Sequence, residues 1–217
     1  MNKIAHYVSF SVLFLLTSTM LKSQQTIQLT PPDLIRGLPA MKTLSLRASA
    51  TEFDTTMLSL KDISDLLWAA NGINRPTSGK RTAPSAMNAQ DIDIYSFMKS
   101  GVYLYDAGKH ALQLVVTGDH RRLFQRDEKS PAPPVILLLV SDVSRFRAGE
   151  DSLKMIWGAM DAGIVSENIS MFCASENLAT RPRASMNQKK LRELLNLKDS
   201  QYPMLNHPVS YKKNRTN

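Results

Sequence analysis

The spacing of apolar positions along the chain predicts several helices. In residues 59–72, apolar side chains recur every three or four residues, Ser59 stands where a helix cap is expected, and Gly72 follows as a stop signal. Apolar residues at helical spacing over a longer segment predict a second helix, at residues 152–175. Another helix is expected to start near Ser185, and a tail ends the chain.

Between these helices, apolar and polar residues alternate as they do in strands. Alternation in residues 92–95, 101–106 and 110–117 predicts a meander of three strands, followed by a turn and a short helix over residues 118–124. The continuous apolar run at residues 135–140 predicts a central strand that is buried on both faces. Strands and helices mixed in this way indicate a single α+β domain.

The N-terminus resembles a targeting segment. Residues 1–24 combine the charged Lys3 with an apolar core that is too short to span a bilayer comfortably, and they predict a secretory signal peptide. We therefore expect an exported, periplasmic protein without a stable membrane anchor after signal removal; an uncleaved anchor is the alternative. Residues 25–43 are predicted to be an extended lead-in, and residues 44–217 to form the domain.

Composition narrows the possible partners. The chain has 217 residues, a formal charge of +8 and a sequence pI near 9.6. Its basic residues are scattered and form no stripe interleaved with aromatic residues, so we expect an anion preference but no nucleic-acid partner. Cys173 is the only cysteine, and its apolar helical setting indicates a buried thiol rather than a nucleophile. No glycine-rich phosphate loop, CxxC pair or HExxH motif is present.

Residues 80–90 form the strongest candidate for ligand contact. Two basic residues lead into Pro84, small side chains follow, and Ser85, Asn88 and Gln90 can each donate and accept hydrogen bonds. A flat molecule could lie close to such a backbone. The alternative is a polar loop that leads into a strand.

A second candidate lies upstream. Arg47 and Ser49 are two residues apart, so in an extended segment they would project to the same side and suit a phosphate group or a carbonyl-rich ring edge. The alternative is an ordinary surface arginine.

Three stretches in order resemble the FMN-dependent nitroreductase family, and within it the SagB-type thiazole/oxazole dehydrogenase-like branch. They are an Arg-x-Ser element at residues 47–49, a Pro-Ser-x-x-Asn-x-Gln element at 84–90, and a helix at 161–169 followed by a turn at 177–180. The sequence departs from the family pattern in that turn, where asparagine and alanine replace two glycines.

The resemblance implies a nitroreductase-like fold, with a central, mainly antiparallel sheet flanked by helices. It further implies an intertwined homodimer with FMN at the subunit interface, where one subunit supplies the Arg-x-Ser element and the other the Pro-Ser element. It implies no catalytic side chain and no metal. The implied cofactor-binding residues are Arg47, Ala48, Ser49, Pro84, Ser85, Ala86, Asn88, Leu178, Ala179, Thr180, Arg183, Lys212 and Lys213.

The activity implied by the resemblance is that of an FMN-dependent oxidoreductase. Hydride would pass from NAD(P)H or another electron donor through the flavin to a small organic oxidant, such as a nitro, quinone or azoline-like compound. The alternative is a non-catalytic exported protein that binds flavin or another ligand on the same fold. The two missing glycines and the predicted export favour that alternative.

Overall fold

The structure is a computed structural model that describes residues 25–125 and 130–213. Within these ranges the α-helices are α1 (Ala40–Leu46), α2 (Leu60–Asn71), α3 (Asp151–Ser175) and α4 (Gln188–Leu195). The strands are β1 (Thr26–Gln28), β2 (Ile73–Arg75), β3 (Lys80–Arg81), β4 (Ile92–Met98), β5 (Gly101–Asp106), β6 (Ala111–Thr117), β7 (Val135–Asp142), β8 (Leu178–Thr180) and β9 (Gln201–Tyr211). The chain therefore combines helices and strands, as the α+β prediction requires.

Seven of these strands form one antiparallel sheet in the order β1-β6-β5-β4-β7-β9-β8, and β2 and β3 form a separate hairpin. Strand β7 lies inside the sheet between β4 and β9, and all eight of its residues are buried. The predicted central strand is thus confirmed. Burial of both faces of the strand explains why its sequence begins with a continuous apolar run rather than an alternating one.

The two faces of the sheet carry separate apolar clusters. Helices α2 and α3 cover one face, where Leu66, Leu67 and Ile169 are fully buried. Helix α4 covers the other face, where Leu191 packs with Phe97 and its neighbours. The sheet is consequently the middle layer of the fold, and its strand ends and the adjoining helix ends are free to build sites.

The sequence-based helix predictions are confirmed, with small shifts at the ends. Helix α2 begins after Ser59, whose hydroxyl accepts a hydrogen bond from the Asp62 backbone amide. Helix α4 begins after Asn187, slightly later than predicted. Helix α3 passes close to β7 at Gly158, where an added Cβ would meet Ser141 Oγ. This close approach explains a glycine in the middle of a long helix.

Two predictions about irregular segments are wrong. The lead-in over residues 25–43 is predicted to be extended with little regular structure, but it includes β1, which pairs with β6, and the start of α1 (Ala40–Leu46). The predicted tail begins with residues 209–211, but these are the last residues of β9, where they pair with β8. Both strands are specified by partners distant in sequence, so local patterns do not show them.

The predicted signal peptide lies outside the described residues. Among residues 25–125 and 130–213, none of the helices combines the length and apolar character that a bilayer crossing requires.

Candidate functional site

A cavity of about 330 Å³, which we call the lysine cavity, lies between the segment after α1, the C-terminal half of α3, and the ends of β8 and β9. It brings together seven of the predicted site residues, from three parts of the chain far apart in sequence. These are Ala48, Ser49, Leu178, Ala179, Thr180, Lys212 and Lys213.

The walls of the lysine cavity are fixed by backbone hydrogen bonds. The Ala50 amide donates to the Thr180 carbonyl at 2.9 Å, which ties the segment after α1 to β8. Strand β8 itself pairs with the last residues of β9. Asn177, where the family has a glycine, takes a left-handed backbone with φ 56°, a conformation that asparagine tolerates. Asparagine can therefore replace this glycine, since it adopts the left-handed backbone directly before β8 begins.

The end of β9 is anchored where it delivers the two lysines. The Tyr211 hydroxyl donates to Asp62 Oδ2 at 2.8 Å and accepts from the Ser59 amide at 3.1 Å. Lys212 and Lys213 follow directly and are exposed at the cavity rim. Ser49 lines the same cavity, and a hydroxyl combined with two lysines suits an anionic group such as a phosphate.

Two buried ionisable groups at the lysine cavity, Cys173 in its lining and His207 beside Thr180, are held in their neutral forms. Burial lowers the pKa of His207 to about 3, and the ring bridges Thr180 Oγ1 at 3.2 Å and Ser166 Oγ at 2.8 Å. Burial raises the pKa of Cys173. Because the Cys173 thiol is buried and protonated, it has the inert character that the sequence predicted.

The Pro-Ser element forms a tight 3-10 turn at Ala86–Asn88. Met87 and Asn88 both take left-handed backbones with φ 53°. The Ser85 hydroxyl accepts from the Gln90 amide at 2.8 Å, and Asp161 on α3 accepts from the Ala86 amide at 2.9 Å. Ser85 therefore helps to hold its own loop.

In one chain, this turn is separated from the lysine cavity. Asp161 holds the turn, whereas Cys173 lines the cavity, and both residues belong to α3. At a rise of 1.5 Å per residue, they are about 18 Å apart along the helix axis. The structure therefore does not join the two predicted halves of the cofactor site within one chain.

Two predicted arginines lie outside the lysine cavity lining. Arg47 is exposed and caps the C-terminus of α1, with its backbone amide donating to Thr43 O at 2.9 Å. Arg47 follows the last residue of α1 with φ −59° and ψ 120°, outside the helical region, but only Ser49 of the pair lines the lysine cavity. Arg183 lines a second cavity next to the first.

Several residues of the site gave no signal in the sequence. The sequence assigns Asp161 only to the start of the helix stretch 161–169, although this carboxylate holds the Pro-Ser turn through the Ala86 amide. Thr51 and Glu52 line both cavities, and Arg181 lines the second. Within the residues that the structure describes, no group of His, Cys, Asp and Glu side chains could hold a metal ion.

Beneath the Pro-Ser turn lies a buried pair of carboxyl groups, Asp91 and Asp161. The Ser141 hydroxyl donates to Asp91 Oδ2 at 2.5 Å, whereas Asp91 Oδ1 has no partner at hydrogen-bond geometry in the described structure. Burial, aided by the neighbouring Asp161, raises the pKa of Asp91 to about 7. Arg145 also acts on Asp91 electrostatically, but burial outweighs it.

We expect Asp91→Asn to stabilise the protein increasingly as the pH rises from about 5 to about 8. The folded protein keeps a proton on Asp91 that the unfolded chain releases near pH 4, so stability is lost as the pH rises toward the folded pKa of about 7. The slope is at most about 1.4 kcal/mol per pH unit, and an amide removes it. Urea unfolding of both proteins across this range measures the difference.

The control for this experiment is Asp199→Asn, which changes a fully exposed carboxylate on the surface. Its stability should follow that of the wild type at every pH. Parallel stability curves for Asp91→Asn and the wild type would show that Asp91 is ionised in the folded protein throughout.

Comparisons with known proteins agree with this architecture. The Nitroreductase family profile matches residues 44–211. A protein of Methanocaldococcus jannaschii, provisionally named a nitroreductase, is 25% identical over 197 residues, covering 86% of this chain and 98% of its own.

Solved structures of other proteins share this fold. A crystal structure from Ralstonia eutropha JMP134, provisionally described as a nitroreductase, superposes with a TM-score of 0.83 at 34% identity and covers 89% of this chain and 92% of its own. A chain of the E. coli microcin synthetase McbBCD complex with truncated pro-MccB17 has a TM-score of 0.67 at 17% identity, covering 98% of this chain and 79% of its own, which shows a shared fold. The predicted fold is confirmed, and the chain belongs to the nitroreductase family of oxidoreductases.

Proposed function

We propose that the protein is an FMN-dependent oxidoreductase that passes hydride from an electron donor, such as NAD(P)H, to a small organic oxidant. The observation that carries this proposal is the lysine cavity. It assembles Ser49, strand β8 and the two C-terminal lysines from segments that the family resemblance had assigned to the cofactor.

The residues present fit the phosphate end of FMN. Lys212 and Lys213 supply two positive charges at the rim, and Ser49 supplies a hydroxyl donor. Glu52 is the one carboxylate of the lining, and two lysines outweigh its charge. Buried Ala179 and Leu178 form an apolar wall that could support the uncharged part of the molecule.

In this arrangement, FMN would supply the hydride chemistry, and the protein would supply binding and orientation. The lysines would hold the phosphate as mobile point charges. The rigid β8–β9 pairing would fix the cavity wall, since Leu178, Ala179 and Thr180 are all nearly inaccessible to solvent. None of these tasks requires an ionisable side chain as a general acid.

We further propose that two copies form the complete site. One side of α3 exposes a row of apolar residues at helical spacing, close to the Pro-Ser turn with its exposed Met87. The row consists of Leu153, Ile156, Met160 and Ile164. Pairing of two α3 helices through this row would bury it and could carry each turn toward the partner's lysine cavity. The separation of about 18 Å within one chain would then be bridged.

Met160→Asp is expected to shift the protein from dimer to monomer. Met160 is 60% exposed in the single chain, and a charge there would have to be buried in the proposed interface. Sedimentation equilibrium measures the change. Met160→Leu keeps the position apolar and should remain dimeric; a wild-type protein that sediments as a monomer would contradict the proposal.

The proposed activity is tested by anaerobic reduction of the purified, FMN-loaded protein, followed by addition of a nitro or quinone compound. An oxidoreductase should be reduced by a donor and reoxidised by the acceptor over many cycles. A protein that binds FMN but does not cycle would instead be the non-catalytic flavin-binding alternative. Export and the SagB-type branch stay predictions.

A further inference from the structure

Next to the lysine cavity lies a second cavity of about 580 Å³, which we call the arginine cavity. The two cavities share Thr51, Glu52 and Lys213 in their linings, so they adjoin each other. A volume of this size suits an organic molecule with a ring system. Of the proposed cofactor contacts, Lys213 and Arg183 reach this second space, and the others lie outside its lining.

One part of the arginine cavity lining is apolar. Phe124 and Ile136 are 4% and 1% exposed and belong to the packed core beneath the cavity. Pro133 and the Phe53 ring extend this apolar lining. Such a surface favours the face of a conjugated ring over a strongly hydrated group.

The other part of the lining carries positive charge on a rigid support. Arg181 and Arg183 are two residues apart in the extended segment after β8, so they project to the same side. The Arg183 amide donates to Asn206 O at 2.9 Å, and the Asn206 amide donates back to Arg183 O at 2.8 Å. The Arg183 guanidinium carbon lies 5.6 Å from the centroid of the Phe53 ring, beside the cavity.

The charge balance of the described lining is positive. Arg181, Arg183 and Lys213 oppose one carboxylate, that of Glu52. Guanidinium groups bind planar carboxylates through paired hydrogen bonds, which lysine cannot do as well. An apolar wall combined with two arginines therefore matches a molecule that has both a conjugated ring and an acidic group.

We propose that the arginine cavity binds planar aromatic carboxylates and makes the protein selective for acidic acceptors over neutral ones. The binding site stands on its own geometry, whereas its role as the acceptor site rests on the proposed function. With a nitrobenzoate acceptor, the nitro group would take up a hydride and a proton and lose water to become a nitroso group. NAD(P)H would be oxidised in the same overall reaction.

The test is isothermal titration calorimetry with 4-nitrobenzoate and its neutral analogue 4-nitrobenzamide, on the full protein with and without added FMN. We expect the wild type to bind the carboxylate at least about tenfold more tightly than the amide, as a charged hydrogen bond would give. Arg181→Gln should reduce this ratio about tenfold. Glu52→Gln should raise it, because it removes the opposing charge.

Arg147→Gln is the matched control, since Arg147 is exposed and lies outside both cavities. Its preference for 4-nitrobenzoate over 4-nitrobenzamide should equal that of the wild type. If the protein takes up FMN but binds the two compounds equally, or if Arg181→Gln and Arg183→Gln both retain the full preference, the inference is overturned. If the preference is present but no FMN is bound, the arginine cavity stands and the proposed flavin function fails.

Discussion

Replacing Lys212 and Lys213 together by glutamine should weaken FMN binding about 100-fold, which corresponds to about 2.8 kcal/mol. Both lysines follow the anchored Tyr211 and line the lysine cavity. Each would contribute one charge-assisted hydrogen bond to a phosphate, and glutamine keeps the polarity while removing the charge. Fluorescence titration of the protein with FMN measures the change.

The chain offers a closely matched control in Lys189 and Lys190. These lysines are also adjacent and exposed, but they lie on α4 and line neither cavity. Their double replacement by glutamine alters the net charge equally and should leave FMN affinity unchanged. The difference between the two double variants should shrink as salt is added, because the lysines are exposed to solvent. Equal affinity in both variants would remove the lysines from the cofactor site.

The largest effect on stability is expected for Arg36→Met. The Arg36 guanidinium pairs with Asp62, Asp65 and Glu176, and it lies 5.6 Å from the Phe172 ring centroid. Methionine would keep the apolar stem but remove the cation that three carboxylates share, and of these only Asp65 would keep another cation, Lys61. We expect a loss of about 2–3 kcal/mol in the free energy of unfolding, below the range for fully buried pairs because the arginine is partly exposed.

This loss should depend on pH in a defined direction. Burial opposes ionisation of Asp62 and Asp65, but hydrogen bonds, including those from Arg36, keep both pKa values below the ordinary value of 3.8. Their contribution is therefore present above about pH 4 and disappears as the pH falls through the folded pKa values. The gap between wild type and Arg36→Met should narrow in acid.

Urea unfolding at several pH values measures this gap. Arg147→Met provides the control, because Arg147 is exposed and its side chain makes no ion pair within the described structure. A gap that stays constant down to acidic pH would show that the carboxylates do not depend on Arg36.

Patterns of apolar and capping residues in the sequence identify the elements that depend on neighbouring residues along the chain. Helix α2 has a capping serine and an apolar stripe, and β7 begins with six apolar residues because it is buried on both faces. Strand β9 escapes such patterns, since it includes Pro203 and Pro208 and buries Asn206 and His207. Prolines and buried polar groups normally argue against a strand inside a sheet.

Long-range contacts explain why β9 forms nevertheless. His207 is paired with Ser166 on α3 and Thr180 on β8, and the Asn206 amide group donates to the Arg183 and Ser185 carbonyls. The register of the β7–β9 pairing shifts between Leu139 and Val140, and Val140 is the residue opposite Pro203. These partners are distant in sequence, so only the folded chain reveals them.

Part of the candidate site can likewise be predicted from the sequence, and part of it is visible only in the folded chain. The resemblance supplied Ser49, Thr180 and Lys213 as members of one site, and the structure places them around one cavity. It could not supply Asp161, because the function of that carboxylate depends on the distant Ala86 amide. The arginine cavity likewise depends on the fold, since Phe124 and the segment after β8 are remote in sequence but line the same cavity.

The central claim is that the lysine cavity holds FMN, and the visible absorption spectrum of the purified protein tests it most directly. We predict a flavin spectrum after purification or after incubation with FMN, and release of FMN itself on mild denaturation. A colourless protein that takes up no added FMN would contradict the account, whatever its fold.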